Sequence, residues 1–322
     1  RAIVTGGGGF VGSHLIEALV GRGDDVVCVE RPGAAPGWIQ GLPIEFSDSG
    51  LDDPDMLDRL LDGADVVFHL AALTAAPRTD AYYAVNTEGT ANVVRAAARS
   101  GRPPRFILMS SLAAAGPCRN GDMLSARTVP YPLSHYGQSK LLAETVVRSY
   151  EDAVPHTILR FPPVYGPRDR DVLIMFRLVR HGLALTVGSW DREISLIYVA
   201  DAVRALLAAA DRKAEGTLTV AHPEPVTWRR FAETVGSAVG RDPNLLALPR
   251  SLALVVAVGA EAVSALSGGA SILNRQKVRE MTQRRWVCET RTAVRTLHWE
   301  PRFNVERGVS ATARWYEEEG WL

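Results

Sequence analysis

The sequence predicts an α/β fold built on a doubly wound parallel sheet, and three observations carry that expectation. A glycine-rich stretch, Thr5-Gly6-Gly7-Gly8-Gly9-Phe10-Val11-Gly12-Ser13, lies between the apolar run Ala2-Ile3-Val4 and a helical pattern over residues 14–20. Short apolar runs then alternate with helical patterns, the mark of parallel strands covered on both faces. Hydroxyl side chains stand directly after one of those runs, at a strand's carboxyl end, where open parallel sheets bind their ligands. With 322 residues, 47% of them hydrophobic, the chain can bury a full core in one large domain or two.

Strand, glycine loop and helix start, in that order, make a seat for a pyrophosphate, because a helix N-terminus offers unpaired N–H groups and partial positive charge. Gly6, Gly9 and Gly12 have the spacing G-x-x-G-x-x-G: one for a tight turn, one for backbone approach to phosphate, one for packing of helix on strand. Phe10 and Val11 lie in the same turn and join the candidate cofactor contacts. Residues 25–29 read as a second strand ending in Glu30 and Arg31, with Glu30 18 residues beyond Gly12, where a Rossmann unit addresses the adenosine ribose. An acid there accepts hydrogen bonds from the ribose hydroxyls of NAD and repels a 2′-phosphate; an arginine attracts one. The pair favours NAD without excluding NADP.

Residues 31–50, rich in Gly and Pro, read as loop with a short strand at 44–46, and residues 53–61 as a helix. Residues 64–70 are a third strand, and the small Ala71 and Ala72 after Leu70 would let a cofactor pass close by. A helix over 81–100 carries Asn86, Thr87, Gly89 and Thr90, and 106–109 is the next strand, ended by Ser110 and Ser111. After a loop with Gly and Pro, Ser134 is the expected N-cap of a helix running to about residue 150. In it Tyr136 and Lys140, four apart, share one face.

That pair has a use. A free tyrosine titrates at about 10, so service as a base near neutrality takes roughly 4 kcal/mol of preference for the phenolate. A lysine ammonium and a nicotinamide cation beside it could supply this. A serine hydroxyl in reach of the same substrate oxygen would orient it and stabilise developing charge.

The motifs Thr5-Gly6-x-x-Gly9-x-x-Gly12, Asn86-Thr87-x-Gly89-Thr90, Ser110-Ser111 and Tyr136-x-x-x-Lys140, in this order, resemble the extended short-chain dehydrogenase/reductase superfamily in its NAD-dependent epimerase/dehydratase group. The resemblance covers most of the chain. It implies Ser111 as the catalytic serine, Tyr136 as the acid/base, and Lys140 as the residue that binds the nicotinamide ribose and lowers the tyrosine pKa. Asn86 is a further implied cofactor contact. Arg160-Phe161-Pro162-Pro163-Val164-Tyr165-Gly166-Pro167 resembles the segment lining the nicotinamide pocket, which adds Pro163 and Val164. A homodimer through the helices over 81–100 and 135–150 is implied as well. Residues 1–165 are then the Rossmann-type dinucleotide-binding domain and 166–322 a smaller, mostly C-terminal α/β substrate domain, with a strand near 194–200 returning to the first.

Two departures narrow the branch. In sugar-nucleotide 4,6-dehydratases of this superfamily an Asp-Glu pair follows the catalytic hydroxyl; here Leu112-Ala113-Ala114-Ala115 follows, and apolar side chains move no protons. Sugar-nucleotide members carry an arginine seven residues before the aspartate of a V-x-D motif to clamp a diphosphate. That position is Ile194 here, and Arg192, two residues earlier on the same strand face, is left as a shifted clamp. Ser110, Leu112 and Arg192 are the candidate substrate contacts.

Residues 252–266 are an apolar helical run with Glu261 as its one charge. At 15 residues it falls short of the roughly 20 that span a bilayer. A buried helix of the substrate domain is expected, with a lipid-facing helix as the alternative. This run, followed by Trp286 and Leu297-His298-Trp299-Glu300-Pro301, resembles the 3β-hydroxysteroid dehydrogenase and dihydroflavonol reductase side of the superfamily, whose members act on hydrophobic molecules.

Lys plus Arg equals Asp plus Glu at 36 each, so no global field recruits nucleic acid or an anionic membrane. Three cysteines, far apart and without metal spacing, suggest no metal, no disulfide framework and a reducing, cytoplasmic setting; no secretory leader is visible. Three readings follow. The first is an NAD(P)-dependent oxidoreductase moving hydride to or from a hydroxyl or keto carbon of a hydrophobic small molecule. The second is an NAD-dependent nucleotide-sugar epimerase. The third is a non-catalytic dinucleotide-binding protein, whose relatives typically lose the tyrosine or lysine kept here.

Overall fold

The computed structural model describes residues 1–119, 121–267 and 274–322, without the side chains of 262–267. The first half lays down β1 (Ala2–Thr5), α1 (Phe10–Gly21), β2 (Val26–Val29), β3 (Glu45–Ser47), α2 (Pro54–Leu61), β4 (Val66–His69), α3 (Thr79–Tyr83), α4 (Thr90–Arg99), β5 (Arg105–Ser111), α5 (Leu112–Ala115), α6 (His135–Arg148) and β6 (His156–Phe161). The second adds β7 (Val164–Tyr165), α7 (Arg170–Arg180), β8 (Leu183–Val187), β9 (Glu193–Ile194), β10 (Ile197–Tyr198), α8 (Val199–Asp211), β11 (Gly216–Thr219), β12 (Val226–Thr227) and α9 (Trp228–Val239). It closes with β13 (Asn244–Leu248), α10 (Arg250–Ser267), α11 (Arg275–Met281), β14 (Arg285–Trp286), α12 (Arg291–Leu297) and α13 (Val305–Glu318).

Seven parallel strands form the central sheet in the order β11-β6-β5-β4-β1-β2-β3. This is the Rossmann-type doubly wound order, with its reversal between β1 and β4. The period of two along each strand sorts the apolar residues onto two faces. Ala2, Val4 and Cys28 meet Leu15, Ile16, Leu19 and Leu206 of α1 and α8. Ile3, Val27 and Val29 meet Leu57, Leu60, Val93, Val94 and Val147 of α2, α4 and α6. Burial on both sides is why these strands read as unbroken apolar runs. A separate core in the second half joins Tyr165, Phe176, Trp190, Phe231 and Tyr316.

The expected helix over 81–100 forms without interruption over 79–99, with a π-helical turn, Ala84–Gly89, between α3 and α4. The wider turn carries Asn86, whose side chain reaches across to Leu73 and Ser139, and π-turns concentrate where a helix serves a site. The strand near 194–200 is two pieces. β9 pairs with β12 and β14, and β10 pairs with β7, whereas β11 is the second-half strand in the central sheet.

Residues 252–266 do form a helix, but the expectation of burial is corrected. Leu252, Val255, Val256 and Val258 of α10 are exposed, and Ala253 and Ala257 are the buried ones, because small residues make the contact with Val187 and Val278. Among the described residues no helix is long and apolar enough to cross a membrane. The three cysteines are free thiols.

Candidate active site

The candidate residues converge on the sheet's reversal, at the carboxyl ends of β1, β4 and β5. Gly6 has φ +72°, and a Cβ at Gly12 would stand 2.2 Å from the Gly6 carbonyl oxygen, so α1 closes on the loop only with glycine at both places. α1 begins after Gly9 with no side-chain cap and no acid in its first turn, which leaves its leading N–H groups for an anion. The loop thus fits a dinucleotide pyrophosphate. Glu30, at the end of β2, accepts the Gly8 N–H at 2.8 Å and is held against the loop, while Arg31 beside it is exposed.

A buried line of polar groups fixes the next strand end. The Thr90 hydroxyl donates to the Asn86 carbonyl at 2.7 Å, so it can only accept from His69 Nε2, 2.9 Å away. His69 Nδ1 is then the acceptor for the Thr5 hydroxyl at 2.7 Å, and Thr5 Oγ1 accepts the Ala71 N–H at 3.3 Å. Burial, with the Lys140 charge adding to it, pushes His69 down to about 3, so the ring is neutral and serves as a spacer. Asn86 takes the Leu73 N–H at 2.7 Å and donates to the Leu73 carbonyl and Ser139 Oγ at 3.0 and 2.9 Å. Leu70, Ala71 and Ala72, half-exposed, are thereby pinned between the glycine loop and α6. Phe10 and Val11 lean on the second-half core, Pro163 is exposed, and Val164 is half-buried in β7.

Ser134 caps α6 as expected, accepting the Gly137 N–H at 3.1 Å. Ser111 caps α5 by accepting the Ala113 N–H at 3.1 Å, and it lies near enough to the Tyr136 hydroxyl to favour its ionisation. Lys140, buried, gives its Nζ to the Met109 carbonyl at 2.7 Å. The Tyr136 ring is partly exposed, but its hydroxyl lies deep; burial pushes it up to about 12, Ser111 opposes this, and the charge of Glu280 adds to it. Burial likewise brings Lys140 down to about 8, against the pull of Glu144. In the protein by itself the Lys140 ammonium is aimed at the Met109 carbonyl, and burial is the leading influence on the Tyr136 hydroxyl. At neutral pH the Tyr136 hydroxyl keeps its proton.

The other candidates have different employment. Ser110 is buried and donates to Glu144 Oε1 at 2.6 Å, so the structure takes it out of substrate contact. Glu144 also receives Arg160 through Nε at 2.8 Å and Nη2 at 2.7 Å, a buried fork-on-fork pair beneath Lys140. Leu112 is buried in a cluster with Leu124 and Cys288 and likewise does not line an open site. Arg192 is buried and spends Nη2 on Thr186 at 2.6 Å and Nε on the Ser189 carbonyl at 2.8 Å, so it is folded into its own turn and not extended as a diphosphate clamp.

Residues 2–221 match the model of the NAD dependent epimerase/dehydratase family. The chain belongs to that family. Its relatives within and around the family do different chemistry. The chain is 30% identical to a ceramide reductase of Caulobacter vibrioides, across 99% of this chain and 95% of the relative. It is 28% identical to a UDP-N-acetyl-alpha-D-glucosaminuronate decarboxylase of Bacillus cytotoxicus, across 99% and 98%. Among solved structures it resembles the UDP-glucose 4-epimerase of Thermus thermophilus, solved with NAD, at a TM-score of 0.80 and 22% identity over 98% and 99% of the two chains, a likeness of fold. As in the rest of the family, the cofactor is NAD, and the glycine cradle described above fits it.

Sequence reasoning missed the contribution of α11. Glu280 accepts the Ser134 hydroxyl, and Gln276 Oε1 accepts the His135 N–H at 2.7 Å, both beside Tyr136. No motif announces residues that far along the chain. Glu144 was within reach of sequence reasoning, one helical turn beyond Lys140. The V-x-D aspartate, Asp201, proves to be a buried anchor for the Arg302 and Phe303 N–H groups.

Proposed function

We propose that the protein is a reductase or dehydrogenase that interconverts a ketone and an alcohol on an apolar small molecule. The observation that carries the reading is that Ser111, at the end of β5, lies near the Tyr136 hydroxyl of α6, which keeps its proton at neutral pH, together with a glycine loop shaped for the dinucleotide. Bound NAD would supply or accept the hydride at its nicotinamide. Gly6, Gly9 and Gly12 would hold its pyrophosphate, Glu30 its ribose, and Ala71, Ala72 and Asn86 the path between. Ser111 would hold the substrate oxygen, and Tyr136 would give it a proton as the carbonyl is reduced, or take one in the reverse direction. Lys140 keeps positive charge at the base of the site.

An apolar substrate is favoured by what the site lacks and by its relatives. Leu112, Ala113, Ala114 and Ala115 supply no second acid or base, and Arg192 is folded inward. The ceramide reductase relative, matched along nearly its whole length, acts on a lipid by its name. The test is a panel of long-chain and polycyclic ketones with reduced NAD or NADP, followed by absorbance and by mass spectrometry of the product. Stoichiometric loss of reduced cofactor with some apolar ketone, and loss of turnover by about 10²–10⁴ in Tyr136→Phe, are expected. Full turnover in Tyr136→Phe would overturn the assignment.

The decarboxylase relative favours a second reading, a nucleotide-sugar enzyme that oxidises and re-reduces its substrate on one retained NAD. Redox balance separates the two: such an enzyme turns over UDP-sugars without net consumption of added nicotinamide.

A further inference from the structure

Helix α10 turns its larger apolar side chains outward. Leu252, Val255, Val256 and Val258 are 48%, 69%, 49% and 50% exposed, whereas Ala253 and Ala257 make the inward contact. Between 250 and 261 the charged residues are Arg250 and Glu261, and Glu261 is occupied by Arg275, whose Nε is 2.8 Å from its Oε2. A helix facing water would carry polar groups on that side. Leu185 and Leu246, also exposed, are register partners on the β8–β13 ladder that leads into the helix.

The border of this surface is cationic. Val278 of α11 packs against Ala253 and Ala257, and α11 exposes Arg275 (paired with Glu261), Lys277 (3.7 Å from Glu280) and Arg279, so the positive charge of the border rests chiefly on Arg279, with Arg284 close behind and Arg250 at the start of α10. An apolar stripe flanked by Lys and Arg matches a bilayer surface, apolar side chains at the acyl boundary and cations at the phosphates. The net charge of the chain is zero, so the attraction is local. Through Gln276 and Glu280, α11 is also joined to the start of α6 at Ser134 and His135. We propose that the outward side of α10 and the cationic side of α11 dock the protein on an anionic phospholipid bilayer, with the Tyr136 end of the site next to the lipid. The proposal does not depend on which reaction the site performs.

The full chain is floated with vesicles of phosphatidylcholine and phosphatidylglycerol in equal parts, and with phosphatidylcholine alone. Wild-type protein is expected to float with the anionic vesicles, roughly tenfold more than with neutral ones, and to be released by salt. Val255→Asp/Val256→Asp should lose about tenfold of the bound fraction. Arg250→Glu/Arg279→Glu, which leaves the apolar stripe intact, should abolish the preference for anionic vesicles. Unchanged binding of NAD by each variant checks its fold. The proposal fails if wild-type protein stays with the soluble fraction, or if either double variant floats like wild type. It also fails if sedimentation shows a wild-type dimer that Val255→Asp/Val256→Asp splits, since the surface then belongs to a second copy.

Discussion

Glu280 accepts the hydroxyl of Ser134 across 146 residues of sequence, and Ser134 caps the helix on which Tyr136 is the second residue. One carboxylate thus ties α11 to α6 and places a negative charge near the tyrosine hydroxyl, where it adds to the upward push of burial. The two effects act in the same direction, toward a tyrosine that holds its proton.

Glu280→Gln keeps the hydrogen-bond acceptor and removes the charge, so Tyr136 becomes easier to ionise. Under the proposed function, ketone reduction needs protonated Tyr136 and falls as pH rises through its pKa. The alkaline limb of the reduction profile should therefore move to lower pH, by up to about one unit. A limb that stays in place in a pH–rate series would show that Glu280 acts on the fold alone.

Ser111→Ala removes the hydroxyl that lies near Tyr136 while sparing the glycine loop. Turnover should drop by about 10²–10³ with dinucleotide affinity unchanged, since under the proposed function the lost hydroxyl holds the reacting oxygen. Steady-state kinetics alongside calorimetric NAD titration reads both quantities.

The Glu144–Arg160 pair should control acid stability. Burial by itself would raise the Glu144 carboxyl, but the hydrogen bonds and charge of Arg160, with Ser110 and Arg148, hold it below the usual carboxylate range. A carboxyl lowered on folding stabilises above its unfolded pKa of about 4.3 and loses that contribution as pH falls through the folded value. Urea unfolding of wild type across this acidic range should show the loss, and Glu144→Gln should flatten it. Arg160→Met, which strands a buried carboxylate, should cost about 3–5 kcal/mol at neutral pH.

Gly12→Ala places a methyl group 2.2 Å from the Gly6 carbonyl oxygen, closer than any real contact allows. The loop or α1 must shift, and dinucleotide affinity should fall by at least roughly tenfold. Fluorescence titration with NAD checks it, with circular dichroism to confirm that the sheet survives.

The cofactor half was legible because its instructions are local. Gly6 to Gly12 encode a turn, Glu30 ends a strand, and Tyr136 and Lys140 share a helical turn, so spacing carries the geometry. What spacing could not convey was environment. That Lys140 reaches the Met109 carbonyl, that Ser110 is consumed by Glu144, and that Arg192 curls onto Thr186 all depend on elements joined only after folding. The outward turn of α10 was hidden for a related reason. Its apolar run is equally compatible with either side facing the core, and the small Ala253 and Ala257 decided it by fitting against Val278.

The late arrival of β11 bears on how this protein can be cut and recombined. It closes the sheet against β6 along Gly216–Thr219, just before the family match ends at residue 221. A fragment ending at residue 165 would leave β6 as a raw edge and strip Ala202 and Leu206 of α8 from their seat on α1. Such a fragment should aggregate. An exchange of the second half between relatives has to be threaded in two pieces, before and after the segment 199–219, which belongs to the central sheet and its covering layer although it is encoded far from β1.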